Sequence, residues 1–227
     1  MSIEKQKIVL VSASPKTDQD WAVSAYLSKR SESSLLDDNT EVSIISVRHA
    51  LMHHGTEKAY TTMSQADSII LVFPLYFFCM PAMLTRFMQD FAVMYPAADR
   101  RTSVYAIVNC GFPEPEINRE AMRVVECFAQ KTGRLFGGGV MAGCGGMLLA
   151  AKDAPFMRPI FEQIDAMLLR VKHDCSSSMP VESKVASVSV KFPRALYFVA
   201  GNAGWKSMAR KNHLKPKDMF QKPYKNE

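Results

Sequence analysis

Four polar residues near the start of the chain, Ser12, Ser14, Lys16 and Thr17, fall in the stretch VSASPKTDQDW, directly after the apolar run Ile8 to Val11. A strand that turns through hydroxyl-bearing residues into a helix makes an anion cradle, because backbone N–H groups and hydroxyls converge there. The chemistry such a cradle performs is capture of a phosphate. Asp18 and Asp20 stand in the same stretch and oppose that role.

Three more segments hold residue types suited to a ligand. In VFPLYFFCMPAML, residues 72–84, Pro74 cannot donate to a central ladder and closes its strand. Leu75, Tyr76, Phe77 and Phe78 follow, and three consecutive aromatics either fill a packed surface or border a planar ligand. In NCGFPEPE, residues 109–116, Gly111 permits a close backbone approach and Phe112 offers a second flat surface beside Asn109 and Cys110. In GGGVMAGCGGM, residues 137–147, Gly143, Gly145 and Gly146 allow close contact with a ligand or a neighbouring chain.

Metal and disulfide chemistry have no comparable support. Cys79, Cys110, Cys127, Cys144 and Cys175 are scattered, odd in number and without a C-x-x-C pair, as expected of buried thiols. His53 and His54 read as surface polar residues, and the stretch that holds them with His49 has no cysteine, so no metal site is expected.

The apolar pattern says what positions these segments. Short β-rich runs predict strands over 7–12, 42–47, 68–73, 104–109 and 136–142. Helical spacing predicts helices over 20–33, 81–94, 117–132 and 154–171. In the third of these Ala121, Val124, Val125 and Phe128 share a face, and Gly133 supplies the stop. Strands alternating with helices imply a five-stranded parallel sheet covered on both faces, with ligands bound outside the carboxyl ends of the strands. The segment 48–64 reads as less regular and 173–190 as a polar loop, while 203–212 has the pattern of an amphipathic helix.

The combination of S-x-S-P-K after a strand, FPLYFFCMPAMLTRFMQDF, IVNCGFPE and a glycine-rich fifth loop resembles the flavodoxin-like NAD(P)H-dependent FMN reductases, over about residues 7–170. The resemblance implies an α/β doubly wound sheet of that type, FMN as cofactor and NAD(P)H as co-substrate. It also implies reduction of a quinone, flavin or similar small acceptor. By position, Ser12, Ser14, Lys16 and Thr17 would face the phosphate. Pro74, Leu75, Tyr76, Phe77 and Phe78 would border the isoalloxazine, and Asn109, Cys110, Gly111 and Phe112 would supply contacts from the other side. No protein acid, base or nucleophile is implied, because hydride passes between nicotinamide, flavin and acceptor. Pairing near the aromatic loop implies a homodimer.

One departure keeps a second reading open. Where the family's phosphate loop usually ends in Asn followed by Ser or Thr, this chain has Asp20 and Trp21. A carboxylate about 4 Å from a phosphate charge costs roughly 1–4 kcal/mol at effective dielectrics between 80 and 20. Asp18 or Asp20 could instead be the helix N-cap, worth roughly 0.5–2 kcal/mol, with its carboxylate in the anion's place. The alternative is a flavodoxin-like protein that has lost FMN and acts as a binding or regulatory module.

Length and composition bound the rest. With 227 residues, 48% hydrophobic and 22% charged, the chain suits one domain, residues 1–172, with a C-terminal extension, 173–227, packed on it. MSIEKQK leads straight into a strand, so no signal peptide is expected, and no apolar run reaches the ~18–20 residues of a spanning helix. A cytoplasmic protein without a membrane partner is the expectation. The net charge of +6 gathers at the end, in Lys206, Arg210, Lys211, Lys215, Lys217, Lys222 and Lys225. Without an aromatic-interleaved basic motif this tail reads as solvated surface rather than a nucleic-acid reader.

Overall fold

Runs such as IVLV and IILVF do not alternate in polarity, so each such strand must be covered on both faces. In the computed structural model, which describes residues 5–16, 22–98, 100–177 and 179–222, they are. The strands are β1 (Gln6–Ser12), β2 (Thr40–Ser46), β3 (Ser68–Pro74), β4 (Ser103–Asn109), β5 (Leu135–Ala142) and β6 (Lys184–Val188). They form one sheet in the order β2-β1-β3-β4-β5-β6, every pairing parallel.

The expected count of five is corrected to six. Residues 184–188, read as part of a polar loop, pair with β5 from Gly138↔Lys184 to Ala142↔Val188. β6 is half-exposed and held by polar contacts: Ser187 Oγ donates to Glu116 Oε1 at 2.8 Å, and Arg170 donates to the Lys184 carbonyl at 3.1 Å. An edge strand anchored this way needs no long apolar run, so the sequence shows little of it.

Successive strand residues face opposite sides. Val9 and Val11, Ile69, Leu71 and Phe73, and Val104, Ala106 and Val108 enter one core with helices α2 (Val47–Met52), α3 (Thr56–Ser64), α4 (Ala82–Met94) and α5 (Arg119–Lys131). Phe87, Phe91 and Phe128 fill its centre, with Phe91–Phe128 centroids 6.1 Å apart. The other face is covered by α1 (Val23–Leu35) and α6 (Arg158–Ser176), which touch each other and the sheet. There Tyr105 donates from its hydroxyl to Asp174 on α6 at 2.5 Å, and burial pushes its pKa far up, so it stays neutral. Arg30 on α1 makes a bidentate pair with Asp165 on α6, at 2.5 and 2.7 Å.

Helix boundaries follow local chemistry. α5 ends where Gly133 takes φ +62°, the stop read from sequence. α2 and α3 replace the irregular segment expected at 48–64; Ser46 caps α2 by accepting the His49 N–H at 3.3 Å. α1 begins at Val23 rather than residue 20, with Ala22 at the N-cap position; Asp18 and Asp20, the expected caps, lie outside the described residues.

The β4–β5 pairing depends on glycine. The register shifts between Val104 and Tyr105, where Phe136 and Gly138 leave Gly137 as the unpaired bulge residue. A Cβ at Gly137 would lie 2.2 Å from the Tyr105 ring, one at Gly138 2.1 Å from the Lys184 oxygen, and one at Gly139 2.1 Å from the Ala106 oxygen. The chain divides into two units, Met1–Val190, which holds the sheet, and Lys191–Glu227, which holds α7 (Arg194–Lys211) and a 3-10 turn, Pro216–Phe220.

Gly139→Ala places a methyl against a buried strand backbone that has no room to move. It is expected to destabilise the protein by about 2 kcal/mol or more, seen as a Tm drop of roughly 4–8 °C by calorimetry. Gly146→Ala, with nothing within 4 Å of a new Cβ, should leave Tm nearly unchanged; equal effects at both sites would refute this packing account.

Candidate functional site

The carboxyl edge of the sheet is tied together by backbone bonds that run past the strand ends. Ala13 N–H donates to the Val72 carbonyl at 3.0 Å, Leu75 to Asn109 at 2.7 Å, Cys110 to Ala142 at 3.0 Å and Gly143 to Val188 at 2.9 Å. The loops after β1, β3, β4 and β5 therefore leave from one row.

The β1 loop borders a cavity of about 440 Å³, within the size range of small-molecule sites. Ser12, Ser14 and Lys16 line it with Ala22, Ala25 and Lys29 at the start of α1. Its other wall is Ile44 and Ser46 of β2, Arg48, His49 and Met52 of α2, and His53 at the C-cap of α2. Ser14 Oγ accepts the Lys16 N–H at 3.2 Å, holding the loop in a tight turn with its own hydroxyl proton left to donate. Three permanent cations, Lys16, Lys29 and Arg48, line the cavity, and their charge attracts an anion. Neither Arg48 nor Lys29 has an ion-pair partner among the described residues. Thr17, Asp18, Asp20 and Trp21 lie outside the described residues.

Arg48, His49 and His53 are absent from the residues expected from sequence. The signal was their place immediately after a strand's carboxyl end, obscured because 48–64 lacks a clear helical period. His49 of α2 and His53 at its C-cap have ring centroids 4.4 Å apart, and both line this cavity.

The β3 loop is a different kind of surface. Pro74 closes β3 and Leu75 is half-buried against the core, while Tyr76 and Cys79 exchange backbone bonds at 2.8 and 2.9 Å around a two-residue turn. Its central residues are Phe77 at φ +46° and Phe78 at φ +62°. A hairpin turn with both central φ values positive normally carries Asn-Gly, and bulky side chains there cost on the order of 1–3 kcal/mol each. Phe77 is 99% exposed and Phe78 63%, so packing among the described residues offsets little of that cost.

The β4 loop is split between support and display. Asn109 is buried and donates from Nδ2 to the Phe73 carbonyl at 3.3 Å. Cys110 is buried, its thiol directed at the carbonyls of Phe112 and Glu114 at 3.5 and 3.6 Å, and burial raises its pKa. A thiol held neutral is no nucleophile. Gly111 and Phe112 are exposed, with nothing within 4 Å of a Cβ at Gly111.

The glycines after β5 serve the β4 loop rather than open space. A Cβ at Gly143 would meet the Pro113 oxygen at 2.5 Å, and one at Gly145 the Asn109 Oδ1 at 2.7 Å. Cys144 between them takes φ +56° and donates its N–H to the Phe112 carbonyl at 2.7 Å. The structure thus brings Ser12, Ser14 and Lys16 to a basic cavity and sets Tyr76, Phe77, Phe78, Gly111 and Phe112 outward on the neighbouring loops. The aromatic residues do not line the cavity.

No family model matches the chain, and no curated protein matches it either. Solved structures do. The apo form of an NADH:FMN oxidoreductase superposes with TM-score 0.54 at 17% identity, over 78% of this chain and 92% of that one. A flavone reductase gives 0.59 at 8% identity, over 79% and 66%. The NAD(P)H:quinone oxidoreductase from Methanothermobacter marburgensis gives 0.50 at 12%, over 75% and 94%. The resemblance read from the sequence and these structures coincide at the level of fold. Its first five strands stand in the order 2-1-3-4-5, and the chain has the flavodoxin-like α/β fold extended by β6.

Proposed function

We propose that the chain is an FMN-dependent NAD(P)H oxidoreductase that reduces a quinone, a flavin or a similar small acceptor. The observation that carries this reading is the Phe77–Phe78 turn, where two exposed aromatics are held in left-handed backbone at the carboxyl end of β3. Strain of this kind persists at binding sites, where a ligand compensates for it. A planar ring stacked on these side chains would remove their apolar area from water.

The residues present suit FMN at both ends. Ser12, Ser14 and Lys16 would hold the phosphate beside the first turn of α1, with Arg48 and Lys29 adding positive charge from the cavity walls. Tyr76, Phe77 and Phe78 from one loop, and Gly111 and Phe112 from the next, would border the ring. Bound there, FMN would supply the hydride chemistry. The chain's own residues bind, orient and shield; Cys110, a buried neutral thiol, takes no part in transfer.

A second reading draws support from the same geometry. The cavity is bounded by β1, β2, α1 and α2 and not by the aromatic turn, so it can take a phosphorylated small molecule without a flavin ring. The protein would then be a binding or regulatory module on the same fold.

Two measurements separate these readings. Fluorescence titration should show FMN binding in the micromolar range and bleaching of the yellow complex by NADPH or NADH; absence of binding at high micromolar FMN would leave only the module. FMN should bind at least about tenfold more tightly than riboflavin, and Lys16→Ala with Arg48→Ala should close that gap. Unchanged preference in the double variant would remove the cavity from phosphate recognition.

The turn makes its own test. Replacing Phe77→Asn and Phe78→Gly supplies the residues a left-handed turn prefers, and should stabilise the protein by about 1–3 kcal/mol. The same variant should lose flavin affinity at least tenfold. Stabilisation with full flavin affinity would show that the two rings are not the flavin platform.

A further inference from the structure

The formal charge of this chain is divided unevenly between its two units. Lys191–Glu227 holds nine of the 28 Lys and Arg and two of the 22 Asp and Glu, a net +7; Met1–Val190 carries a net −1. From Lys191 to Lys217 there is no carboxylate. A solvated basic tail would set these cations among polar side chains. Here they stand among apolar ones. Leu196, Phe198, Val199, Trp205 and Met208 of α7 are exposed, Trp205 at 63%, and Phe220 just beyond is 82% exposed. Among the described residues of α7, Ala209 alone is buried.

Polarity in this helix runs along its axis rather than around it. From Ala195 to Gly204 there is no charged side chain, whereas Lys206, Arg210 and Lys211 occupy the last turns and Lys215, Lys217 and Lys222 follow. The uncharged stretch rises about 15 Å, enough to carry its tip through the ~5–10 Å to which interfacial helices sink. Trp205 sits where the apolar and basic parts meet, the place an indole takes at a bilayer interface. At the apolar end Arg194 lies over the Phe198 ring, 5.7 Å from its centroid, an arrangement that lets the stem follow apolar surface while the head reaches outward.

We propose that the second unit is a docking element for an anionic phospholipid surface, with the first turns of α7 tilted into the headgroup–acyl boundary and Lys206, Arg210 and Lys211 on the lipid phosphates. Apolar burial and cation–phosphate attraction act together in this pose. A nucleic acid would satisfy the cations and stack on the rings but leave Leu196, Val199 and Met208 in water. No helix among the described residues is long and apolar enough to cross a membrane, so the contact is with one leaflet. It replaces the expectation of a merely solvated tail and holds whether or not the first unit binds flavin.

The test uses the full chain and phosphatidylcholine vesicles with and without about one-third phosphatidylserine. Trp21→Phe leaves Trp205 as the sole tryptophan reporter. Co-sedimentation with anionic vesicles and a blue shift of Trp205 emission are expected, with at least tenfold weaker binding to neutral vesicles. Raising salt from about 0.05 to about 0.5 M should weaken it by tenfold or more. Lys206→Ser, Arg210→Ser and Lys211→Ser together should keep the circular dichroism spectrum and lose at least tenfold in vesicle affinity; Phe198→Ser with Val199→Ser should abolish the blue shift. Failure of the unaltered chain to bind anionic vesicles overturns the proposal. So does equal binding to neutral ones, or tighter binding to single-stranded RNA than to vesicles.

Discussion

The carboxyl edge of this molecule depends on the parallel ladder being carried one residue past the strands. Ala13, Leu75, Cys110 and Gly143 each donate an N–H to the neighbouring strand, which fixes the departure of four loops in a single row. Buried N–H groups have to be paired, and at this edge the sheet itself supplies the partners. The arrangement has a chemical consequence: those four N–H groups are committed to the fold. Any ligand at this edge would meet side chains and backbone further out: Ser12, Ser14 and Lys16 at the cavity, Phe77, Phe78 and Phe112 on the exposed loops.

The same row distinguishes support from display within each loop. Asn109 is the clearest case. Its carbonyl accepts from Leu75, its amide donates to Phe73, and its Oδ1 stands where a Cβ on Gly145 would need to be. Asn109 therefore couples the loops after β3, β4 and β5, and the two residues beyond Cys110, Gly111 and Phe112, are the ones presented outward. Gly143 and Gly145 buttress that loop from behind. The positions that look most alike in the sequence, glycine beside a strand end, divide physically into packing at Gly143 and Gly145 and open surface at Gly111 and Gly146.

β1, β3 and β4 were legible because each is a near-continuous apolar run ended by Ser, Pro or Asn, a pattern that two-sided burial imposes; β2 and β5 showed shorter apolar runs. β6 was not, since an edge strand held by Ser187–Glu116 and Arg170 has no such burial to record. α2 and α3 escaped because six and nine residues are too few to show a helical period. In the site, the aromatic turn was visible from residue type alone. Its left-handed backbone was not, because nothing about Phe-Phe suggests a turn that Asn-Gly usually makes. Arg48, His49 and His53 were hidden for a third reason: their place just after a strand's carboxyl end was visible, but nothing local shows that they share one cavity with the β1 loop.

The separation between the basic cavity and the aromatic turn bears on how the edge can work. A cavity lined by Lys16, Lys29 and Arg48 acts through charge and reaches an approaching anion over about 8–10 Å at moderate salt. An exposed aromatic pair acts only at contact, through area removed from water. A ligand with a phosphate at one end and a planar ring at the other would therefore be gathered by the first and oriented by the second. Phe77 and Phe78 held in strained, exposed positions would lower the ordering cost of binding the proposed ligand. A relaxed Asn-Gly turn would be the more stable fold and the poorer platform. That opposition between stability and display is the physical argument behind the proposal that a planar ligand docks at this turn.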